Sequence, residues 1–291
     1  MRLIFSFPDN NDLAYKLLES GSFQKGEWEH RHFPDGESYL RLLSDVRGRE
    51  VAILCSLDLP DTKLLPLYFL SRLLREHGCS RITLIAPYLA YMRQDTEFHP
   101  GEAVTSGYFA GLLSGLVDEL VTIDPHLHRR SSLQEIYSIP CHVLHAAELI
   151  SGWIRENISL PLLIGPDEES RQWVEGVAQS AGADFVVMEK VRRGDRDVEI
   201  HFGDIGHYKT HTPVLVDDII ATARTMIETV KHVNAAGLSM PVCIGVHGLF
   251  AGDAFEKLYE AGAGEIITTN SVPHGSNKID VSGLLLKQLN F

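Results

Sequence analysis

The sequence predicts an α/β fold, with mainly parallel sheets flanked by helices, and three observations carry that prediction. Short apolar runs rich in β-branched residues, among them Val214-Leu215-Val216, have the composition of strands buried on both faces. These runs alternate with longer helical stretches such as Asn11–Glu19 and Asp61–His77. Polar residues able to do chemistry stand where the strands end, which is where open α/β sheets bind ligands: Asp124-Pro125-His126, Gly165-Pro166-Asp167 and Asp217-Asp218.

At 291 residues the chain exceeds the usual size of one domain, and 44% hydrophobic residues supply enough apolar material for two cores. The βα alternation restarts at Pro161–Ile164, so we divide the chain into domains 1–147 and 148–291, with no Pro- or Gly-rich linker to mark the join. No apolar stretch is long enough to span a bilayer, and MRLIFSFPDN turns polar too soon for a signal peptide, so we expect a cytoplasmic protein without a membrane partner. A formal charge of −13 argues against nucleic acid as the main partner. Anionic small molecules stay open, because an Arg/Lys cluster or a divalent cation reverses the field inside one cleft. Cys55, Cys79, Cys141 and Cys243 form no CxxC pair, which points to reduced core thiols.

In chain order, residues 2–7 read as a strand and Asn11–Glu19 as a helix. Strands Trp28–Phe33 and Ser38–Leu42 flank Pro34-Asp35-Gly36-Glu37, where Asp-Gly signals a hairpin turn. Strand Glu50–Leu54, helix Asp61–His77 and strand Arg81–Ala86 follow. The next loop, Pro87–Asp95, places two tyrosines, Arg93 and Gln94 at the ligand edge of a parallel sheet; as a plain loop it is a packed tyrosine corner with solvated polar residues. Helix Ala103–Ser114 and strand Glu119–Ile123 lead to Asp124–Arg130, whose HxH pair is of a kind that binds metal only in a minority of loops. After strand Cys141–Leu144 and a helix to Asn157, Asp167, Glu168 and Glu169 follow strand Pro161–Ile164 at a helix start, where capping explains them as well as a ligand does.

Strand Phe185–Met188 runs into Glu189–Asp197, the densest positive cluster in this acidic chain. Its mixed signs and glycine suggest a mobile hairpin, although most such runs are solvated faces. Beyond Asp217 and Asp218, a turn with Thr222 and Thr225 opens a helix near Thr225, and the unpaired backbone N–H groups there favour a phosphate. Strand Val242–Val246, then a last helix and a strand over Glu265–Ser271, read mostly as core.

Five blocks in order are FPDGE (Phe33–Glu37), PYLAYMRQD (Pro87–Asp95), Asp124-Pro125-His126, PDE (Pro166–Glu168) with the later KVRR (Lys190–Arg193), and VDDIIATART (Val216–Thr225). Together they resemble the ribose-phosphate diphosphokinases, in their shorter, archaeal-like class. The resemblance implies two tandem phosphoribosyltransferase-type (type I) domains, the first carrying ATP segments and the second the ribose 5-phosphate loop and a catalytic flap. It implies ATP binding by Phe33, Asp35, Gly36, Glu37, Arg93, Gln94, Asp95 and His126, and magnesium placed by His126 and Asp167. Lys190 and Arg192 take the catalytic Lys-x-Arg positions, and ribose 5-phosphate falls to Asp217, Asp218, Ala221, Thr222, Ala223, Arg224 and Thr225. In the family the FPDGE segment reaches the ATP of a neighbouring subunit, so a homo-oligomer of at least two copies is implied. One departure stands out: the usual Thr-Gly-Gly-Thr phosphate turn is here Thr222-Ala223-Arg224-Thr225. The altered turn keeps a non-catalytic regulatory homologue in view as an alternative; a phosphoribosyltransferase has less reason to keep FPDGE and RQD.

Overall fold

The computed structural model describes residues 2–165, 170–192, 198–201 and 206–289. The chain forms two compact units, Met1–Leu144 with Ser282–Phe291, and His145–Val281. The expected contiguous division at 147/148 assigned the C-terminal residues to the second half; here they return to the first, as α8 (Ser282–Leu289).

The first unit contains β1 (Arg2–Ser6), α1 (Asn11–Glu19), β2 (Phe23–Lys25), β3 (Trp28–His32), β4 (Ser38–Leu42), β5 (Glu50–Leu54), α2 (Pro60–Glu76), β6 (Arg81–Ala86), α3 (Thr105–Ser114), β7 (Glu119–Ile123) and β8 (Cys141–Leu144). Its main sheet has the order β2-β1-β5-β6-β7-β8, parallel throughout, with β3 and β4 as a separate antiparallel hairpin. Central strands are buried along nearly their whole length, Ile53, Leu54, Leu84 and Ile85 completely so, because helices cover a parallel sheet on both faces. Helix α2 turns Leu67, Leu70 and Leu74 inward, at the three- and four-residue spacing of one helix face.

The second unit repeats the plan. It contains α4 (Ala147–Asn157), β9 (Pro161–Gly165), α5 (Arg171–Ala181), β10 (Asp184–Val187), β11 (Glu189–Arg192), β12 (Val198–His201), β13 (Thr212–Ile220), α6 (Arg224–Ala235), β14 (Val242–Gly248), α7 (Ala254–Glu260), β15 (Glu265–Thr269) and β16 (Asn277–Ile279). The sheet order is β10-β9-β13-β14-β15-β16, again parallel, with the antiparallel pair β11–β12 after the second strand. Leu162, Ile164, Leu215, Cys243 and Ile266 from the sheet meet Met226, Val230 and Val233 from α6 in one core. Both units thus have the predicted class: parallel sheets flanked by helices, in two copies of one topology.

The main difference in element bounds is β13, which the apolar run places at Val214–Val216 but which extends to Ile220. Its pairing with β9 runs through Leu215, whereas its pairing with β14 continues through Asp217, Ile219 and Ile220. Glycine on β14 permits this, since a Cβ at Gly245 would stand 2.7 Å from the Ile220 side chain. Among the described residues, no helix is long and apolar enough to cross a membrane.

Candidate functional site

In the second unit the strand order reverses at β9–β13, so the crevice favoured by ligands lies at the carboxyl end of these strands. Asp217 and Asp218 are the sixth and seventh of the nine residues of β13, both half-buried. The Asp218 N–H donates to the Asp217 carboxylate at 3.0 Å. Three residues after Asp218 the backbone turns through Ala221 and Thr222, and Ala223 adopts the left-handed conformation, φ 55° and ψ 10°. That is the geometry glycine supplies at such turns, and here an alanine, 7% exposed, takes it. The N-cap residue, Ala223, makes no side-chain cap bond, which leaves the start of α6 suited to an anion. Thr222 and Arg224 are exposed and Thr225 is half-buried, so Arg224 is not folded into the interior of the turn.

The loop after β14 fixes this turn from the side. Leu249 and Phe250 both donate backbone N–H groups to the Ile220 carbonyl, at 2.9 and 3.0 Å, and the Ala251 N–H donates to the Ala221 carbonyl at 2.9 Å. Beneath it, fully buried His247 places Nδ1 2.8 Å from the Ser271 hydroxyl, and the Ser271 and Thr269 hydroxyls both donate to the Val246 carbonyl. Sequence reading treated this loop as core. The available signal was the pair of strand glycines Gly245 and Gly248, which mark close backbone approach.

Lys190 and Arg192 lie on β11, where they pair in register with Ile200 and Val198 of β12. The positive run does form an antiparallel pair, while its tip, residues 193–197, lies outside the described residues, as does Asp167.

In the first unit, the candidate ATP residues sit on three loops. Phe33 to Glu37 close the β3–β4 hairpin: the Phe33 N–H donates to the Glu37 carbonyl at 2.8 Å, and the Asp35 carboxylate accepts the Glu37 N–H at 3.2 Å. Gly36 has φ 93°, which the Asp-Gly signal anticipates. Phe33 remains 41% exposed, edge-on to Tyr39, with the Arg31 guanidinium 5.0 Å from its ring and 4.1 Å from that of Tyr39. The tip is therefore a stiffened aromatic knob.

After β6, Tyr91 is held at φ 62°, Arg93 is exposed, and Gln94 Oε1 accepts the Thr105 hydroxyl at 2.9 Å. The hydrogen bond to Asp61, then burial, raises the pKa of the Tyr91 phenol. Asp95 is 5% exposed at its side chain and pairs with Arg129 at 2.9 Å, while Arg130 reaches the Asp95 carbonyl at 3.4 Å. This ties the loop to the one after β7, where Asp124 and His126 have φ 36° and 56°. His126 Nδ1 lies 3.1 Å from His128 Nε2. Non-glycine residues at positive φ are costly and persist where surrounding contacts impose them. Three of them fall on these two loops.

Residues 2–116 match the family model for the N-terminal domain of ribose phosphate pyrophosphokinase, and residues 132–279 match that for the phosphoribosyl transferase domain. A ribose-phosphate pyrophosphokinase of Methanopyrus kandleri is 30% identical over 282 residues, 96% of each chain. Another, from Saccharolobus solfataricus, is 32% identical over 247 residues, 84% of each chain. The crystal structure of phosphoribosylpyrophosphate synthetase from Mycobacterium smegmatis aligns over 100% of this chain and 98% of its own, with a TM-score of 0.87 at 25% identity. Both domain models in order and near-full-length identity to archaeal relatives agree with the paired sheets and their loops: the chain belongs to the ribose-phosphate pyrophosphokinase family.

Proposed function

We propose that this enzyme moves the β,γ-diphosphoryl group of magnesium-bound ATP onto the C1 hydroxyl of ribose 5-phosphate, reading the sugar phosphate at the β13–α6 turn and the nucleotide at the loops of the first unit. The observation that supports it most is the uncapped start of α6 directly after the two carboxylates of β13. In this reading Asp217 and Asp218 accept hydrogen bonds from the ribose hydroxyls. The 5-phosphate takes the backbone N–H groups and hydroxyls of Ala221 to Thr225, and exposed Arg224 supplies an added positive charge beside it. Phe33, Asp35, Gly36 and Glu37 serve the nucleotide of a neighbouring copy, so the working unit is a homo-oligomer of at least two chains. Arg93, Gln94 and His126 serve the chain's own nucleotide, and Asp95 serves it by holding their loop through Arg129.

The C1 oxygen bonds to the β-phosphorus and releases its hydroxyl proton to solvent, the bond from that phosphorus to the α-phosphate bridging oxygen breaks with its electron pair staying on that oxygen, and AMP leaves. Lys190 and Arg192 offset the charge that builds on the transferring group, without a covalent role. Magnesium bound with the phosphates neutralises part of their charge. It takes oxygen ligands, so a lone imidazole fits beside it only where phosphates, waters and carboxylates such as Asp167 supply the rest, and His126 is assigned that single contact. The setting is the cytoplasm.

The test is AMP released from ATP with and without ribose 5-phosphate. Release that depends on the sugar phosphate, matched one to one by phosphoribosyl diphosphate, is expected. Lys190→Ala should lower kcat by about 10²–10³, roughly 2.7–4 kcal/mol, with the melting temperature kept. No sugar-dependent AMP would count for a regulatory homologue, and an unaffected Lys190→Ala variant would remove that residue from the mechanism.

A further inference from the structure

Both sheets reverse strand order at the same topological position, and in both the third strand leads to a helix through a left-handed residue that is not glycine. In the second unit this is Ala223, before α6; in the first it is Leu59, φ 49° and ψ 54°, before α2. The turn from Ser56 to Asp61 therefore occupies in the first unit the place that the candidate phosphate turn occupies in the second. Its contents differ. Pro60 opens α2 and removes one backbone N–H from the helix start. The Lys63 ammonium, its side chain 7% exposed, stands 2.7 Å from Asp58, 3.2 Å from Asp9 and 3.0 Å from the Ser56 carbonyl. Two carboxylates and a carbonyl already match that charge, so this turn has no surplus positive charge for a phosphate.

What the turn does hold is the loop carrying Arg93 and Gln94. Asn10 Oδ1 accepts the Ser56 N–H at 2.8 Å, and the Ser56 hydroxyl accepts the Tyr88 N–H at 3.3 Å. The Leu57 N–H donates to the Tyr88 carbonyl at 2.9 Å. The Tyr91 hydroxyl donates to the carboxylate of Asp61 in the first turn of α2, and the Tyr91 ring packs against Phe109 with centroids 4.7 Å apart. Tyr91 is the residue at positive φ in this loop, two positions before Arg93, so its side-chain contacts set the direction in which the chain continues.

We infer that the first unit's turn is a counterpart of the sugar-phosphate turn converted into an anchor, and that the Asp61–Tyr91 hydrogen bond is the positioning contact that presents Arg93 and Gln94 to the nucleotide. This rests on the reading that those two residues bind ATP. Tyr91 and Asp61 act through them as positioning residues.

The experiment uses the full chain, with calorimetric titration of magnesium and a non-hydrolysable ATP analogue beside steady-state kinetics. Tyr91→Phe keeps the ring against Phe109 and removes only the donor. It should raise the analogue Kd and the ATP KM about threefold to tenfold, the size of one net hydrogen bond, with kcat, the ribose 5-phosphate KM and the melting temperature unchanged. Asp61→Ala should match it, Asp61→Asn should retain most of the affinity through its amide oxygen, and the double variant Tyr91→Phe/Asp61→Ala should bind no worse than either single one. Wild-type binding by Tyr91→Phe sinks this inference alone. So does a loss shared by both substrates with a lowered melting temperature. If the unaltered chain fails to bind the analogue, the nucleotide assignment of Arg93 and Gln94 falls, and the inference with it.

Discussion

Asp95 illustrates how a consecutive motif splits into different jobs once folded. The Arg-Gln-Asp run suggests three neighbouring nucleotide contacts, yet Arg93 is exposed while the Asp95 carboxylate is turned inward onto Arg129 at 2.9 Å. Its partner is 34 residues away, beyond the reach of any local spacing rule, and so invisible in the sequence. The pair anchors one candidate nucleotide loop to the next, and Arg129 also lies 5.3 Å from the Phe98 ring. Asp95→Ala removes a charge-assisted acceptor, a loss of about 1.5–3 kcal/mol, and should raise the ATP KM by about tenfold or more in steady-state assays while changing kcat much less. Ala223 shows the opposite case. The glycine expected there is missing, but the left-handed backbone is present, held against a strain of roughly 1–2 kcal/mol for a residue with a Cβ. The turn's place before α6 was legible from its surroundings; the left-handed alanine within it was not.

Among elements, β5, β6, β7 and β8 have the bounds their apolar runs indicate; in β5, β6 and β7 burial on both faces leaves an uninterrupted signature, while β8 is a half-buried edge strand. The extension of β13 through Asp217 and Asp218 was not readable in that way. Two carboxylates end the apolar run, but the backbone ladder to β14 needs only N–H and C=O groups. The three-residue strands β2 and β16 were missed as well, since FQK and NKI are too short to show a period. Gly248 ends β14 at a point where an added Cβ would stand 2.6 Å from the Phe250 ring and 2.8 Å from the Thr268 methyl. Gly248→Ala should therefore destabilise the chain by about 1–3 kcal/mol in urea titration. The displaced Phe250 would withdraw one of the two N–H groups on the Ile220 carbonyl and loosen the turn after β13, so the same variant should raise the ribose 5-phosphate KM several-fold and leave affinity for an ATP analogue intact.

At the scale of the whole molecule, the repeated sheet order was suggested by rhythm and hidden at the level of residues, because the two copies have filled equivalent turns with unlike side chains. Stability in acid should depend on a group far from either turn in sequence. Glu119, at the start of β7, is pushed up by burial, but hydrogen bonds from His142 at 2.7 Å and Thr83 at 3.0 Å, with Arg81 beside it, outweigh this and hold its carboxyl below the ordinary value of 4.5. A depressed folded pKa means that its stabilisation is complete above 4.5 and fades as the pH falls through the folded value. Glu119→Gln should flatten that acid limb, as read from urea midpoints at near-neutral and acidic pH. The helix α8 has another consequence. It packs on α1 and β8, and the Arg2 guanidinium donates to the Leu289 carbonyl at 3.3 Å, so the opening strand and the closing helix belong to one core. A nascent chain must emerge past residue 281 before that core can close. The contacts of α8 with α1 and β8 are therefore the last that the first unit can make during synthesis, after the whole second unit has been delivered.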